Sequence, residues 1–181
     1  MIMDKRPSKE EYYLGIAEQV SKRGTCLRAM HGVIIVNDDQ IIATGYVGAP
    51  RKTRDCMERG NCLRHELKIP SGQRYELCRS VHGEQNAILN AARAGVSIMG
   101  GDMYVFSANV LDGKFKLVDA HPCFICKKLI INVGIKRVIT RMADGSLKIH
   151  NVDDWVYNWQ NSDLIDDKEK YDNKYYDEVK K

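Results

Sequence analysis

No stretch of this chain approaches the about 20 consecutive apolar residues that a membrane-spanning helix needs. Met1-Ile2-Met3-Asp4-Lys5-Arg6 leads into no apolar secretory core. Both absences point to a cytoplasmic protein. Charge of one sign is also scarce: 28 Lys and Arg stand against 24 Asp and Glu, a formal net of +4. That excess is too small to indicate nucleic acid, and no basic, aromatic-studded strand is present, although it suits an anionic small molecule. No internal repeat is visible. What remains, 181 residues with 44% hydrophobic and 29% charged side chains, is the composition of one soluble globular domain with a substantial core. Six cysteines without a secretory lead indicate a reducing compartment, where thiols more often bind metal than pair as disulfides.

Ser8, with Glu11 three residues on, reads as a capping box, and Tyr13, Ile16, Ala17 and Val20 recur at helical spacing, so residues 9–22 are expected to form an amphipathic helix. Val33-Ile34-Ile35-Val36 and Ile41-Ile42-Ala43 flank a polar turn at 37–40 and read as a β-hairpin covered on both faces. From Gly45 to Ser80 periodicity fails, and Gly, Pro, Arg and three Cys dominate; a metal clip is one way to hold so long a segment. Residues 84–94 form the clearest helix, with Ala87, Ile88, Ala91 and Ala92 as its apolar face and Gly95 as its stop. Met103-Tyr104-Val105-Phe106 is a strand, followed by an inserted excursion from Ala108 to Ala120 that suggests a small hairpin around Asp112-Gly113. Pro122 opens a second helix carrying Cys123, Cys126, Leu129, Ile130 and Val133, and Lys136 to Thr140 is the next strand. This order implies a sheet sandwiched by helices, with right-handed parallel crossovers in its second half. Beyond Asp144 the pattern weakens to one short amphipathic helix (Val152, Trp155, Val156, Trp159) and a charged tail from Asp163. The division expected is a domain over 1–149 and a helical, charged extension of it over 150–181.

The chemistry is concentrated at Val81-His82-Gly83-Glu84 and Pro122-Cys123-Phe124-Ile125-Cys126. One imidazole and two thiolates are what a catalytic zinc takes while a fourth position stays open. Cys123 and Cys126 stand at i and i+3 near a helix N-terminus, where the dipole favours thiolate, and His82 stands at the start of the other helix. Glu84 is near enough to carry a proton without binding the metal. H-x-E followed by P-C-x-x-C is the signature of zinc-dependent nucleobase deaminases. The competing reading is a closed structural zinc with a fourth protein ligand, for which His121 is the nearest spare donor.

The chain resembles the deoxycytidylate (dCMP) deaminase family of the cytidine deaminase superfamily. The resemblance runs from about Tyr13 to Arg141 and is carried by Thr25-Cys26-Leu27-Arg28, Gly45-Tyr46-Val47-Gly48-Ala49-Pro50, His82-Gly83-Glu84-Gln85-Asn86-Ala87-Ile88 and Ile130-Ile131-Asn132-Val133-Gly134-Ile135-Lys136-Arg137-Val138. It implies a three-layer α/β/α fold with a mixed central sheet, and hydrolytic deamination of dCMP to dUMP with zinc on His82, Cys123 and Cys126 and Glu84 catalytic. It also implies a homo-oligomer, commonly a hexamer, with dCTP and dTTP as effectors. Three departures stand out: Gly83 replaces the usual Ala, Val47 the usual Asn that contacts sugar or base, and residues 112–120 are inserted.

Cys26, Cys56, Cys62 and Cys78 lie within the resemblance, and some of the family carry a second, structural zinc in this region. An all-cysteine site, one with His65 substituted, and no metal remain as alternatives. For a substrate phosphate, Arg51, Lys52 and Arg54 follow the Gly-Tyr-Val-Gly loop, with Arg28 and Arg79 as further candidates; for each, a solvated surface charge is the plain alternative. Trp155 and Trp159 read as packing or interface residues. A deaminase of another nucleotide, nucleoside or base, and a non-catalytic nucleotide sensor on the same scaffold, are the rival functions.

Overall fold

A computed structural model describes residues 6–70, 73–110 and 113–161. Ser8, in extended backbone, accepts the Glu11 N–H and starts α1 (Lys9–Ser21), which buries Tyr13, Leu14 and Ala17. β1 (Ala29–Asn37) and β2 (Gln40–Tyr46) form the hairpin, turned through Asp38 and Asp39 at φ 46° and 62°. Two short helices, α2 (Cys56–Arg59) and α3 (Leu63–Glu66), and a 3-10 turn (Tyr75–Leu77) break up the segment that lacks periodicity. α4 (Gly83–Ala94), β3 (Asp102–Asn109), β4 (Lys116–Leu117), α5 (Phe124–Asn132), β5 (Arg137–Arg141), β6 (Leu147–Asn151) and α6 (Val152–Asn161) complete the order.

The sheet runs β2-β1-β3-β5-β6, with β4 on the end of β3. β3 and β5 are parallel and joined through α5; the other pairings are antiparallel, so the sheet is mixed. Alternation along β1 divides the core. Ile34 and Val36 face α1 together with Tyr104, Phe106 and Ile139. Val33 and Ile35 face α4, α5 and α6 with Met103, Val105 and Val138. The result is the three-layer α/β/α sandwich, with the site on the face of α4 and α5. α1 lies almost on the sheet: a Cβ on Gly32 would stand 2.0 Å from the Ala17 carbonyl oxygen.

Several expectations change. β2 is an edge strand, with Gln40, Ile41 and Thr44 exposed, rather than one covered on both faces. The α4 face that is buried is Gly83, Glu84, Ala87 and Ala91, and Ala92 is exposed. β6 has no counterpart in the sequence reading, because a short edge strand with Lys148 and Ile149 exposed has little hydrophobic alternation to show. The inserted excursion is a hairpin arm, β4 pairing with β3 through Ala108–Leu117 and Asn109–Lys116, while residues 111–112 at its tip lie outside the described residues. The tail from Asp163 also lies outside them. Among the described residues no helix is long and apolar enough to cross a membrane.

Arg141 of β5 forks onto Glu11 of α1 through two hydrogen bonds of 3.1 and 2.6 Å, and this contact holds the Glu11 carboxyl below its ordinary value of 4.5. A lowered carboxylate contributes stability above its unfolded value and loses it as pH falls through its folded one. Glu11→Gln is therefore expected to melt roughly 1–3 °C below the parent at pH 7, as a half-exposed pair allows. The gap should close below pH 4.5; thermal melts across pH check it, and a gap that persists in acid contradicts it.

Candidate active site

The site is built by holding two helix starts still. Gly48 and Val81 exchange backbone hydrogen bonds of 3.2 and 2.8 Å, pinning the Gly-Tyr-Val-Gly loop to the residue before His82. His82 is the N-cap of α4, in extended backbone, with its N–H donating to Gln85 Oε1 at 3.1 Å. Asn86 Nδ2 donates to the Tyr46 carbonyl at 2.8 Å. Gly45 explains how close this can be: a Cβ there would stand 2.2 Å from the Ala87 nitrogen and 2.4 Å from the Gly83 oxygen. On the same face of the sheet, Pro122 is buried and Cys123 is the N-cap of α5, its carbonyl accepting the Lys127 N–H at 2.9 Å. Cys126 follows at the third helical position. His82 and Cys123 thus occupy the same position on two different helices.

His82 Nδ1 lies 3.4 Å from Cys123 Sγ and 3.4 Å from Cys126 Sγ. With Zn–S of about 2.3 Å and Zn–N of about 2.0–2.1 Å at tetrahedral angles, the N···S separation should be roughly 3.5 Å, so the three donors fit zinc. Their ligand atoms lie within 4.8 Å of one another, and among the described residues no other such group of His, Cys, Asp and Glu does. Glu84, 6% exposed, completes the cluster. The Cys126 thiol donates to Cys123, which outweighs burial and, with help from His82, holds Cys123 down at about 4. The same bond, with burial and Glu84, pushes Cys126 up. Two sulfurs sharing one proton are a pair that metal binding would deprotonate fully. Burial pushes His82 down, but its Cys123 hydrogen bond and Glu84 outweigh this and the net shift is upward. Burial, then the Cys123 charge, push the Glu84 carboxyl up.

Burial raises the Cys26 thiol, with Cys78 and Cys56 adding to the rise, and burial raises Cys56, with Cys62 and Cys78 adding to it. The four thiols thus share one region, though more loosely than the His82 group. Val47 is 6% exposed and points beneath the end of α1, its Cγ1 3.1 Å from where a Cβ on Gly24 would stand, so its side chain packs. Gly83 is buried, and a Cβ there would meet Val33 Cγ2 at 3.1 Å. Arg51 donates to Asn90 at 2.6 Å, Arg54 to the Glu58 carbonyl at 3.1 Å, and Arg79 to Asn61 at 2.7 and 3.0 Å. The His121 ring packs edge-on against His150.

Sequence reasoning passed over Tyr75, whose ring stands edge-on to His82 at 4.7 Å between centroids, and the buried Arg64 guanidinium over Tyr75 at 4.9 Å. It also passed over His31, whose Nδ1 lies 2.6 Å from the buried Ser107 hydroxyl. Tyr75 and Arg64 lie in the segment without periodicity, where no pattern singles them out. Gly45→Ala is expected to lower stability by more than the about 1–3 kcal/mol of ordinary overpacking, and to lose zinc, because the clash is with backbone. Gly83→Ala should keep both fold and zinc, since a valine methyl can yield a few tenths of an ångström. Melting temperature and zinc content check the pair; a normal, zinc-replete Gly45→Ala protein contradicts the geometry.

Residues 7–142 match the family described as the cytidine and deoxycytidylate deaminase zinc-binding region. The chain is 32% identical over 139 residues to the deoxycytidylate deaminase of Mycobacterium phage D29, covering 74% of this chain and 94% of that one. It is 32% identical over 134 residues to that of Schizosaccharomyces pombe, covering 74% of this chain but only 37% of the yeast protein. The crystal structure of the dCMP deaminase of cyanophage S-TIM5 in complex with dCMP and dUMP is 25% identical, with a TM-score of 0.53 over 78% of this chain and 89% of that one. With a zinc-fitting donor set at the head of its two facing helices, the chain belongs to the cytidine and deoxycytidylate deaminase zinc-binding family.

Proposed function

We propose that this protein hydrolyses dCMP to dUMP and ammonia, with His82, Cys123 and Cys126 holding zinc and Glu84 moving the proton. The observation that carries the reading is the buried Glu84 carboxyl beside three donors at zinc-binding separation. A zinc held there supplies a Lewis acid able to bring the pKa of water from 15.7 to about 7. Glu84 takes one proton from the attacking water and delivers it to the ring nitrogen, then takes the second from the resulting C4 hydroxyl and delivers it to the departing amine. The water oxygen bonds to C4, the C4–N bond breaks, and ammonia leaves. Glu84 is 6% exposed, so the proton it carries between the two transfers is kept from bulk water.

The names of the phage relatives support dCMP as substrate. Arg51 and Arg54 each engage one guanidinium nitrogen in a local bond, leaving other donors for a 5′-phosphate. Val47, turned into the packing, offers no amide to the sugar, and this favours the rival reading of a different aminated nucleotide, nucleoside or base. A homo-oligomer responding to dCTP and dTTP belongs to the same family-based reading. So does a second, structural zinc on Cys26, Cys56, Cys62 and Cys78, supported by the nearness that lets Cys78 and Cys56 raise the Cys26 thiol and Cys62 and Cys78 raise the Cys56 thiol.

Side-by-side assays of dCMP, dCTP, deoxycytidine, cytosine and guanine should find dCMP turned over fastest; no turnover of dCMP with brisk turnover of another sinks the substrate. Glu84→Gln is expected to lose at least about 10²–10⁴-fold in kcat while keeping the zinc at His82, and an active variant contradicts the assigned role. Metal analysis should give two zincs per chain, falling to one in Cys56→Ser; a single zinc in both leaves only the His82 site.

A further inference from the structure

The segment shared with the family ends at residue 142, so β6 and α6 have no role assigned by it. α6 nevertheless packs on the helix that carries the two thiols, and β6 packs on α6. Trp155 of α6 is 3% exposed and belongs to the same buried cluster as Cys123 and Cys126. The Lys127 ammonium sits 5.1 Å from the centre of its ring. Lys127 directly follows Cys126 and is itself 5% exposed, so the indole is one of the surfaces enclosing it. The same indole lies 5.8 Å from the ring of His150 on β6. His150 in turn meets His121 edge-on at 5.5 Å, and His121 stands two residues before Cys123. Trp155 therefore touches the flank after the Cys123–Cys126 turn directly, through Lys127, and the flank before it through His150.

That turn needs outside support. The first turn of a helix lacks backbone partners for its N–H groups, and Cys123 and Cys126 both lie in it. It also follows a long inserted arm, tied back to the sheet just before Pro122 by the Ala120 N–H to the Arg141 carbonyl at 3.1 Å. On α4, by contrast, His82 is fixed by the Gly48–Val81 exchange and by Gln85.

We propose that Trp155 is a positioning residue of the metal centre: with Lys127 on one side and His150 and His121 on the other, it clamps the Cys123–Cys126 turn so that both sulfurs stay aimed at His82. Tyr157, on the same helix and 67% exposed, is the internal control; Trp159 is not, because its ring packs on Phe124, inside the turn, at 5.2 Å. The clamp rests on the zinc reading above but not on the identity of the substrate.

The test measures zinc release from the zinc-loaded full chain to excess chelator, well below the melting temperature, with Cys126→Ser marking the signal from this site. Trp155→Ala is expected to release zinc about 10-fold faster or more, the scale typical of residues that orient ligands. It should also shift the thiolate-to-cobalt charge-transfer band of the Co(II)-loaded protein. Trp155→Phe should restore most of the slow release, and Tyr157→Ala should behave as the parent. Release at the parental rate from Trp155→Ala, or equal acceleration by Tyr157→Ala, overturns the clamp. If Trp155→Ala does not fold, His150→Ala carries the test: it keeps the indole and removes the arm to His121, and parental release from it overturns the proposal. A parent chain with no Cys126-dependent zinc instead overturns the site itself.

Discussion

Two helix N-termini have to face each other across a few ångströms, and most of the architecture serves that constraint. His82 caps α4 and Cys123 caps α5, so the donors of the site sit at the ends of rigid elements and within the positive field of both dipoles. The Cys123 thiol is held well below its ordinary value chiefly by its Cys126 and His82 neighbours. Neither helix could be placed this closely by side chains alone. Gly45 lets α4 rest on β2 at backbone contact, and the parallel β3–β5 pair joined through α5 sets where the second helix begins.

This explains why some glycines here behave as structural parts and another as a substitution. At Gly45 and Gly32 any side chain would enter the backbone of a packed helix. At Gly83 the nearest obstacle is one methyl of Val33, so a family that usually carries Ala there and this chain with Gly can share one geometry. Val47 is a different case. Its side chain turns toward Gly24 and the end of α1, so the polar contact expected of an Asn is replaced by packing.

The elements that could be read from sequence were those with a strong local signal. Ser8 and Glu11 mark the start of α1, the polar turn at Asp38-Asp39 sits between two β-branched runs, and His82, Glu84, Cys123 and Cys126 are ordered by motif spacing. What escaped depended on long-range contact. Tyr75 reaches His82 from a segment with no periodicity, and β6 is a short edge strand with little alternation. Trp155 and Trp159 have the same helical spacing in sequence, yet only the fold shows that one is enclosed with the thiols and the other lies at the surface. The direction of Val47 was equally invisible, since a residue name does not say which side of a loop it faces.

The central claim is an open zinc site of three protein donors with Glu84 beside it, and zinc-edge anomalous diffraction from crystals of the zinc-loaded protein tests it most directly. A zinc peak is expected, bonded to His82 Nδ1 and to the Cys123 and Cys126 sulfurs, with the Glu84 carboxylate beyond the about 2.0–2.2 Å of a zinc–oxygen bond. A zinc whose fourth ligand is Glu84 or His121, or no zinc between these residues, would contradict it.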